Sequence, residues 1–152
     1  LGISRDAANN YIDRYFQRYP GVASFMQETK VSAKKNGFVQ TLMGRKLWLP
    51  EINSPNGPRR QAAERAAINA PMQGTAADLI KTAMIRMNAE LEKSKFNAKM
   101  ILQVHDELVF EVHKDQVVPF VSFVKELMCN VLELTVPLEV DVGHGENWEE
   151  AH

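Results

Sequence analysis

His105, Asp106 and Glu107 stand together between two apolar runs, MILQV at 100–104 and LVFEV at 108–112. Each run has strand length and is rich in β-branched or large aliphatic side chains, which places the polar triplet at a hairpin turn. Neighbouring carboxylates ~4 Å apart repel by about 4 kcal/mol at an effective dielectric of ~20, so a cation is the expected counter-charge. Hard oxygen donors of this kind suit Mg²⁺ or Mn²⁺, whereas zinc would want more His or Cys. Taken alone, the triplet fits a solvated turn equally well.

A second group is spread along the chain. Arg65, Asn69 and Gln73 recur every four residues and so share one face of a helix, with Pro71 making the alignment approximate. All three donate hydrogen bonds, and every base pair offers acceptors in the DNA minor groove at purine N3 and pyrimidine O2. Donors on such a face can check the shape of a pair without reading sequence, although the spacing by itself favours an ordinary polar face in water. Arg59 and Arg60, with Arg45 and Lys46 nearby in sequence, are of the type that holds phosphates, each contact making binding salt-sensitive. Solvated surface charge explains them as well. His113 and His144 lack ligand spacing with a second His, Cys or carboxylate and receive no role.

These residues need elements to hold them. Ser4 can cap a first helix in which Ala8, Tyr11, Ile12, Tyr15, Phe16 and Tyr19 form a stripe. Pro20 suits the first turn of a second helix with Val22, Phe25, Met26 and Ala33 inward and Gly37 as terminator. The two are expected to pack together, with the aromatic stripe in the core. FVQTL, MG and RKLWL then read as a hairpin, and Pro50–Pro58 as a loop at a subdomain boundary.

From Arg59 the pattern is helical again. Proline removes an amide donor and crowds the carbonyl four residues back, which predicts a short helix to Asn69 and a long one from Met72 to Lys93. Ile68, Met72, Ala76, Leu79, Ile80, Ala83, Met84, Met87 and Leu91 form its expected apolar stripe, and Gly74, Ala76 and Ala77 leave room for a neighbouring backbone. Strands follow at 99–104 and 108–112, then a helix over 116–134 capped by Asp115, then a strand at 136–142. The fold class is α+β, a small antiparallel sheet backed by helices.

The chain has 152 residues, room for one ordinary core or one domain plus part of another. It starts at Leu1, shows no leader, and holds no apolar run near the ~20 residues of a membrane span, so it reads as a soluble piece of something longer. Its single cysteine, Cys129, excludes an internal disulfide, fits a reducing compartment, and is expected to be a small buried hydrophobe on a helix. The net charge of -1 hides an asymmetry: +6 over residues 1–66 and -7 over 67–152. One half is thereby suited to phosphate and the other to metal ions, whatever the overall balance.

The stretches ERAAINAPMQGTAADLIKTAM at Glu64–Met84 and QVHDELVFEV at Gln103–Val112 closely resemble family A DNA polymerases, the bacterial DNA polymerase I type. The likeness runs from Leu1 to His152 and includes YFQRYPGV, GRKLWLP, INSPNGPRR and GENWEEAH. It implies a C-terminal fragment of a DNA-directed DNA polymerase: residues 1–58 the end of the fingers, residues 59–152 most of the palm. Asp106 and Glu107 match the third catalytic motif, with Asp106 a direct ligand of Mg²⁺ (Mn²⁺ as substitute) and Glu107 lesser. Successive residues of extended chain point to opposite faces, which agrees with unequal roles. Arg65, Asn69, Gln73 and His105 match minor-groove contacts near the primer end, and Arg59 and Arg60 positions near the nucleic-acid backbone.

The implied reaction is two-metal nucleotidyl transfer from a dNTP to a primer 3′ hydroxyl, in replication and repair. The implied partners are primer-template duplex and dNTP, without a membrane. The implied parent is monomeric, in the bacterial cytoplasm and associated with the nucleoid, while the fragment is expected to self-associate. Two departures stand out. The family's second aspartate, in a motif beginning DYS, does not occur in this sequence, nor does the fingers helix whose Arg, Lys, aromatic and Tyr residues grip the triphosphate. Both would precede Leu1, and the 152 residues are expected not to polymerise alone. Asp78, Asp115 and Asp141 are other carboxylates, but no motif recruits them. A metal-dependent nuclease or phosphohydrolase would use the same ion to activate water and would not need the donor series. A non-catalytic duplex-binding module would bind no metal at the turn.

Overall fold

The computed structural model describes residues 4–151. These described residues form five α-helices, one 3-10 turn and two antiparallel hairpins, an α+β arrangement as the sequence implied. Two compact units divide after Thr75, inside the longest helix, and each has its own core.

In the first unit, α1 spans Arg5–Arg18 and α2 Pro20–Asn36. The Ser4 hydroxyl accepts from the Ala7 amide at 3.2 Å, and Asp6 adds negative charge at the positive end of the helix dipole. Gly37, at φ 78°, ends α2 in the left-handed conformation and donates its N–H to the Ala33 carbonyl. The expected role of the aromatic stripe is corrected: α1 buries no residue, and Tyr11 is 72% exposed. Tyr15 instead meets the Phe16 ring edge-on and the Tyr19 ring at a tilt along the helix surface. Amphipathic spacing marks the face that gains from burial, and among the described residues no element covers it.

The first hairpin pairs β1 (Phe38–Gln40) with β2 (Lys46–Trp48) through Phe38↔Trp48, Val39↔Leu47 and Gln40↔Lys46. The Lys46 ammonium lies 4.3 Å from the Phe38 ring centroid, a cation–π contact. Ala33, Val39, Leu49, Ile52, Ala63 and Ala67 make the core of this unit. Ile52 is 2% exposed, so the proline-rich loop is pinned from within by one of its own residues.

The long helix, α3, runs without interruption from Gly57 to Lys93, with Pro71 inside it. This corrects the two helices expected to meet at Pro71. A mid-helix proline costs ~3 kcal/mol or more, but it deletes only one hydrogen bond, and the packing of Ala63 and Ala67 before it and Thr75 after it holds the axis. The buried line of α3 is also narrower than expected. It passes through Ala63, Ala67, Thr75, Asp78, Ala83 and Met87, whereas Met72 and Ala76 are exposed.

Lys34 on α2 and Glu64 on α3 form an ion pair at 2.7 Å. The hydrogen bond from Lys34 lowers the Glu64 carboxyl below its ordinary 4.5, against some desolvation and with help from the charges of Lys34, Lys30 and Arg60. A carboxyl lowered on folding stabilises the protein above its unfolded pKa, and that stability disappears as pH falls through the folded value. Glu64→Gln is therefore expected to be less stable than wild type at pH ~7 and to lose less further stability on acidification to pH ~3. Urea unfolding at both pH values checks this, and parallel curves for the two proteins would refute it.

In the second unit, β3 (Ala98–Val104) pairs with β4 (Glu107–Val112), with an irregularity between Met100 and Leu102. Met87, Phe120 and Val124 are its buried centre, surrounded by Leu91, Phe96, Phe110 and Phe123. A 3-10 turn at Lys114–Gln116 leads into α4, Val117–Cys129, shorter at both ends than the helix expected over 116–134. Asp115 does not cap it. The Gln116 side chain instead ties back the strand entry, accepting from the Asn97 amide at 2.6 Å and donating to the Lys95 carbonyl at 3.3 Å. Cys129 is the half-buried last residue of α4. No strand forms at 136–142, because a strand exists only through a pairing neighbour and none of the described residues supplies one. A short helix, α5, closes at Trp148–Ala151.

Candidate catalytic hairpin and nucleic-acid face

The β3–β4 pairing ends at Val104↔Glu107, so His105 and Asp106 are the whole of a two-residue turn. Such tight turns need positive φ, usually from glycine or asparagine. Here His105 supplies it, at φ 51°. The Gln103 side-chain amide donates to the His105 carbonyl at 2.6 Å and braces the turn from the strand behind it. Phe110 on β4 packs edge-on against Phe120 at 5.3 Å, anchoring the far half of the hairpin in the core.

This architecture projects the Asp106 carboxylate into solvent at the tip, with no hydrogen bond or ion pair to another described residue. Glu107, also exposed, is the first residue of β4. Two exposed carboxylates on a braced turn are hard donors of the type Mg²⁺ takes, which fits a divalent ion. They are too few to enclose one, and among the described residues no three His, Cys, Asp or Glu side chains converge as a metal group. Asp78 is buried in α3 at 5% exposure, while Asp115 and Asp141 are exposed.

The donor series lies in the first unit. Because α3 continues through Pro71, Arg65, Asn69 and Gln73 share one uninterrupted helix, ~12 Å from first to last at 1.5 Å per residue. All three are exposed, and none of their side chains forms a hydrogen bond or ion pair with another described residue. The basic pair beside them divides. Arg60 is half-buried and donates from Nη1 to the Ser54 carbonyl at 2.9 Å, holding the loop. Arg59 is exposed, with Nη1 3.9 Å from Glu51, a loose pair that leaves its charge available. His105 belongs to the second unit with the carboxylates.

Sequence reasoning missed how the first hairpin is seated. Leu42 donates its amide to the Thr75 hydroxyl at 3.1 Å, and Thr41 packs at Gly74, where a Cβ would come within 2.6 Å of its Cγ2. The resulting cleft is bordered by Gln40, Thr41, Arg45, Lys46, Gln73 and Gly74. The small residue at 74 signalled a close neighbour, but nothing local named the hairpin as that neighbour.

Comparison with known proteins shows the family of the chain. The family model described as DNA polymerase family A matches residues 1–150. DNA polymerase I of Pseudomonas aeruginosa is 54% identical over 152 residues, all of this chain and 17% of that protein. DNA polymerase I of Bacillus subtilis is 45% identical, over 99% of this chain and again 17% of its own length. Among solved structures, the POL domain of Pol1 from M. smegmatis, in complex with DNA primer-template and dNTP, superposes with a TM-score of 0.94. It shares 43% identity, over 98% of this chain and 26% of that one. The chain thus spans about a sixth of the curated relatives' length, and across that span it belongs to DNA polymerase family A.

Proposed function

We propose that these residues serve template-directed DNA synthesis, as the third catalytic motif and part of the duplex-binding face of a DNA-directed DNA polymerase. The observation that carries the reading is an exposed, braced turn bearing Asp106, with Glu107 directly after it on β4, within a family match over residues 1–150. Residues 1–58 are assigned to the end of the fingers and 59–152 to the palm. The substrates are primer-template duplex and dNTP, the setting replication and repair in the bacterial cytoplasm. No helix among the described residues is long and apolar enough to cross a membrane.

On this reading Asp106 holds the ion side of the reaction centre and Glu107 adds negative charge beside it. A bound Mg²⁺ supplies activation of the primer hydroxyl and charge stabilisation at the triphosphate. Arg65, Asn69, Gln73 and His105 donate to minor-groove acceptors, which every correctly shaped pair offers, so they hold the primer end without selecting sequence. Arg59 holds a backbone phosphate. Arg60 reaches the phosphates only if it leaves Ser54, so its main duty is the loop.

Primer extension with Mg²⁺ tests the reading. A full-length polypeptide carrying this sequence is expected to add the nucleotide complementary to the template, and the 152-residue chain alone to add none, because Asp106 and Glu107 are too few ligands and the sequence holds no DYS motif. Duplex binding without extension by the full-length polypeptide would refute it. Metal-dependent degradation of the primer would favour a nuclease.

A further inference from the structure

We infer that Thr75 is a positioning residue that locks the loop of the first hairpin onto the turn of α3 bearing Gln73, and thereby fixes how Gln73 meets the DNA. The inference rests on the proposed duplex-binding role of Gln73. Thr75 is 9% exposed, and its hydroxyl both donates and accepts. It donates to the Pro71 carbonyl at 2.5 Å and accepts from the Leu42 amide at 3.1 Å.

The loop it captures is a closed unit. Thr41 donates its amide to the Arg45 carbonyl at 2.9 Å, Gly44 donates to the Thr41 carbonyl at 3.0 Å, and the Arg45 amide donates to the Thr41 hydroxyl at 3.2 Å. Thr41 therefore cannot rotate its methyl away from Gly74 without giving up the hydroxyl bond that closes the loop. One hydroxyl and one missing Cβ thus index a rigid loop against residues 71–75.

That turn is the part of α3 most in need of a brace. Pro71 has no N–H, so the Ala67 carbonyl receives no intrahelical bond there. A helix turn short of one bond bends more readily, and Gln73 on that turn lines the cleft together with Thr41 and Arg45. The Thr75 hydroxyl supplies from the hairpin side the constraint that proline removes from the helix side.

The test uses a full-length polypeptide carrying this sequence, in four single variants, Gln73→Ala, Thr75→Val, Thr75→Ser and Gly74→Ala, and one double variant, Gln73→Ala with Thr75→Val. The readouts are primer-template Kd and the ratio of extension from matched and mispaired 3′ ends. Thr75→Val is expected to lower that ratio roughly fivefold, the scale of one hydrogen bond. Thr75→Ser, which keeps the hydroxyl, is expected to restore it. Gly74→Ala, which keeps the hydroxyl but wedges the loop away, is expected to reproduce the Val phenotype. Combining Thr75→Val with Gln73→Ala should add nothing to Gln73→Ala alone, because both act through one contact.

Loss of thermal stability in Thr75→Val with an unchanged ratio would overturn the inference and leave the Gln73 reading intact. If Gln73→Ala itself changes neither readout, the duplex role of Gln73 fails and the inference falls with it. Should Thr75→Val not fold, Gly74→Ala decides: a lowered ratio supports the lock and a wild-type ratio overturns it.

Discussion

Asp106→Ala, made in a full-length polypeptide carrying this sequence, is expected to reduce primer extension by ~10³-fold or more, on the scale of the several kcal/mol a catalytic ion contributes. Asp106 stands at the tip of a two-residue turn, exposed and without a hydrogen bond or ion pair to any described residue. Removing its carboxylate therefore breaks none of the described contacts, and the thermal midpoint should stay within the narrow range of ordinary surface substitutions. Duplex affinity should survive as well, because Arg65, Asn69 and Gln73 lie on α3 and the substitution leaves the His105 side chain in place. Loss of extension with retained folding and binding is what separates a reaction group from a structural one. Glu107→Ala is expected to cost less, in keeping with its place on the first residue of β4. Extension at wild-type rate by the Asp106 variant would remove this turn from the reaction altogether.

The largest expected effect on stability falls on Phe120. It is 4% exposed and packs against the rings of Phe96 and Phe110 at 5.3 Å each and of Phe123 at 6.0 Å. Phe120→Ala deletes the shared partner of three rings and leaves a cavity the surrounding helices and strands cannot fill, at a cost of ~3–5 kcal/mol. That is a large part of the ~5–15 kcal/mol that holds a typical protein folded. Val118→Ala, two residues away at 79% exposure, should cost less than ~0.5 kcal/mol and serves as the control. Because Phe110 belongs to β4, amide exchange in 98–112 should rise together with the drop in denaturation midpoint. Equal midpoints for the two variants would show that the aromatic cluster is not the keystone of this unit.

The contrast between local and distant determinants explains what the sequence made legible. Ser4, Pro20 and Gly37 act within a few residues of themselves, through caps and fixed φ angles, and the helix ends lie where those residue types demand. Both hairpins were legible for the same reason. Pro71 misled because its cost is local whereas the packing that offsets it, through Ala67 and Thr75, is not. The strand expected at 136–142 has the right composition, but pairing depends on a neighbour that composition does not supply. The aromatic face of α1 was read as core by its spacing, yet spacing says nothing about what lies opposite. At the candidate site, the adjacency of His105, Asp106 and Glu107 was visible in the sequence and so was the spacing of Arg65, Asn69 and Gln73. The bond from Arg60 to Ser54 and the Leu42–Thr75 lock were not, since each depends on where a loop folds back in space.

The left-handed backbone at His105 has a further consequence for how this position tolerates change. A library randomised there would be sieved twice, by two unrelated criteria. Glycine or asparagine would satisfy the turn and discard the imidazole, so Asp106 would keep its place while the proposed imidazole donor to the duplex is lost. A β-branched residue would fail at the backbone before its side-chain chemistry mattered, taking the neighbouring carboxylate out of register. Survivors of the first sieve but not the second would report what the imidazole alone contributes, an experiment that the geometry of a single dihedral angle makes available.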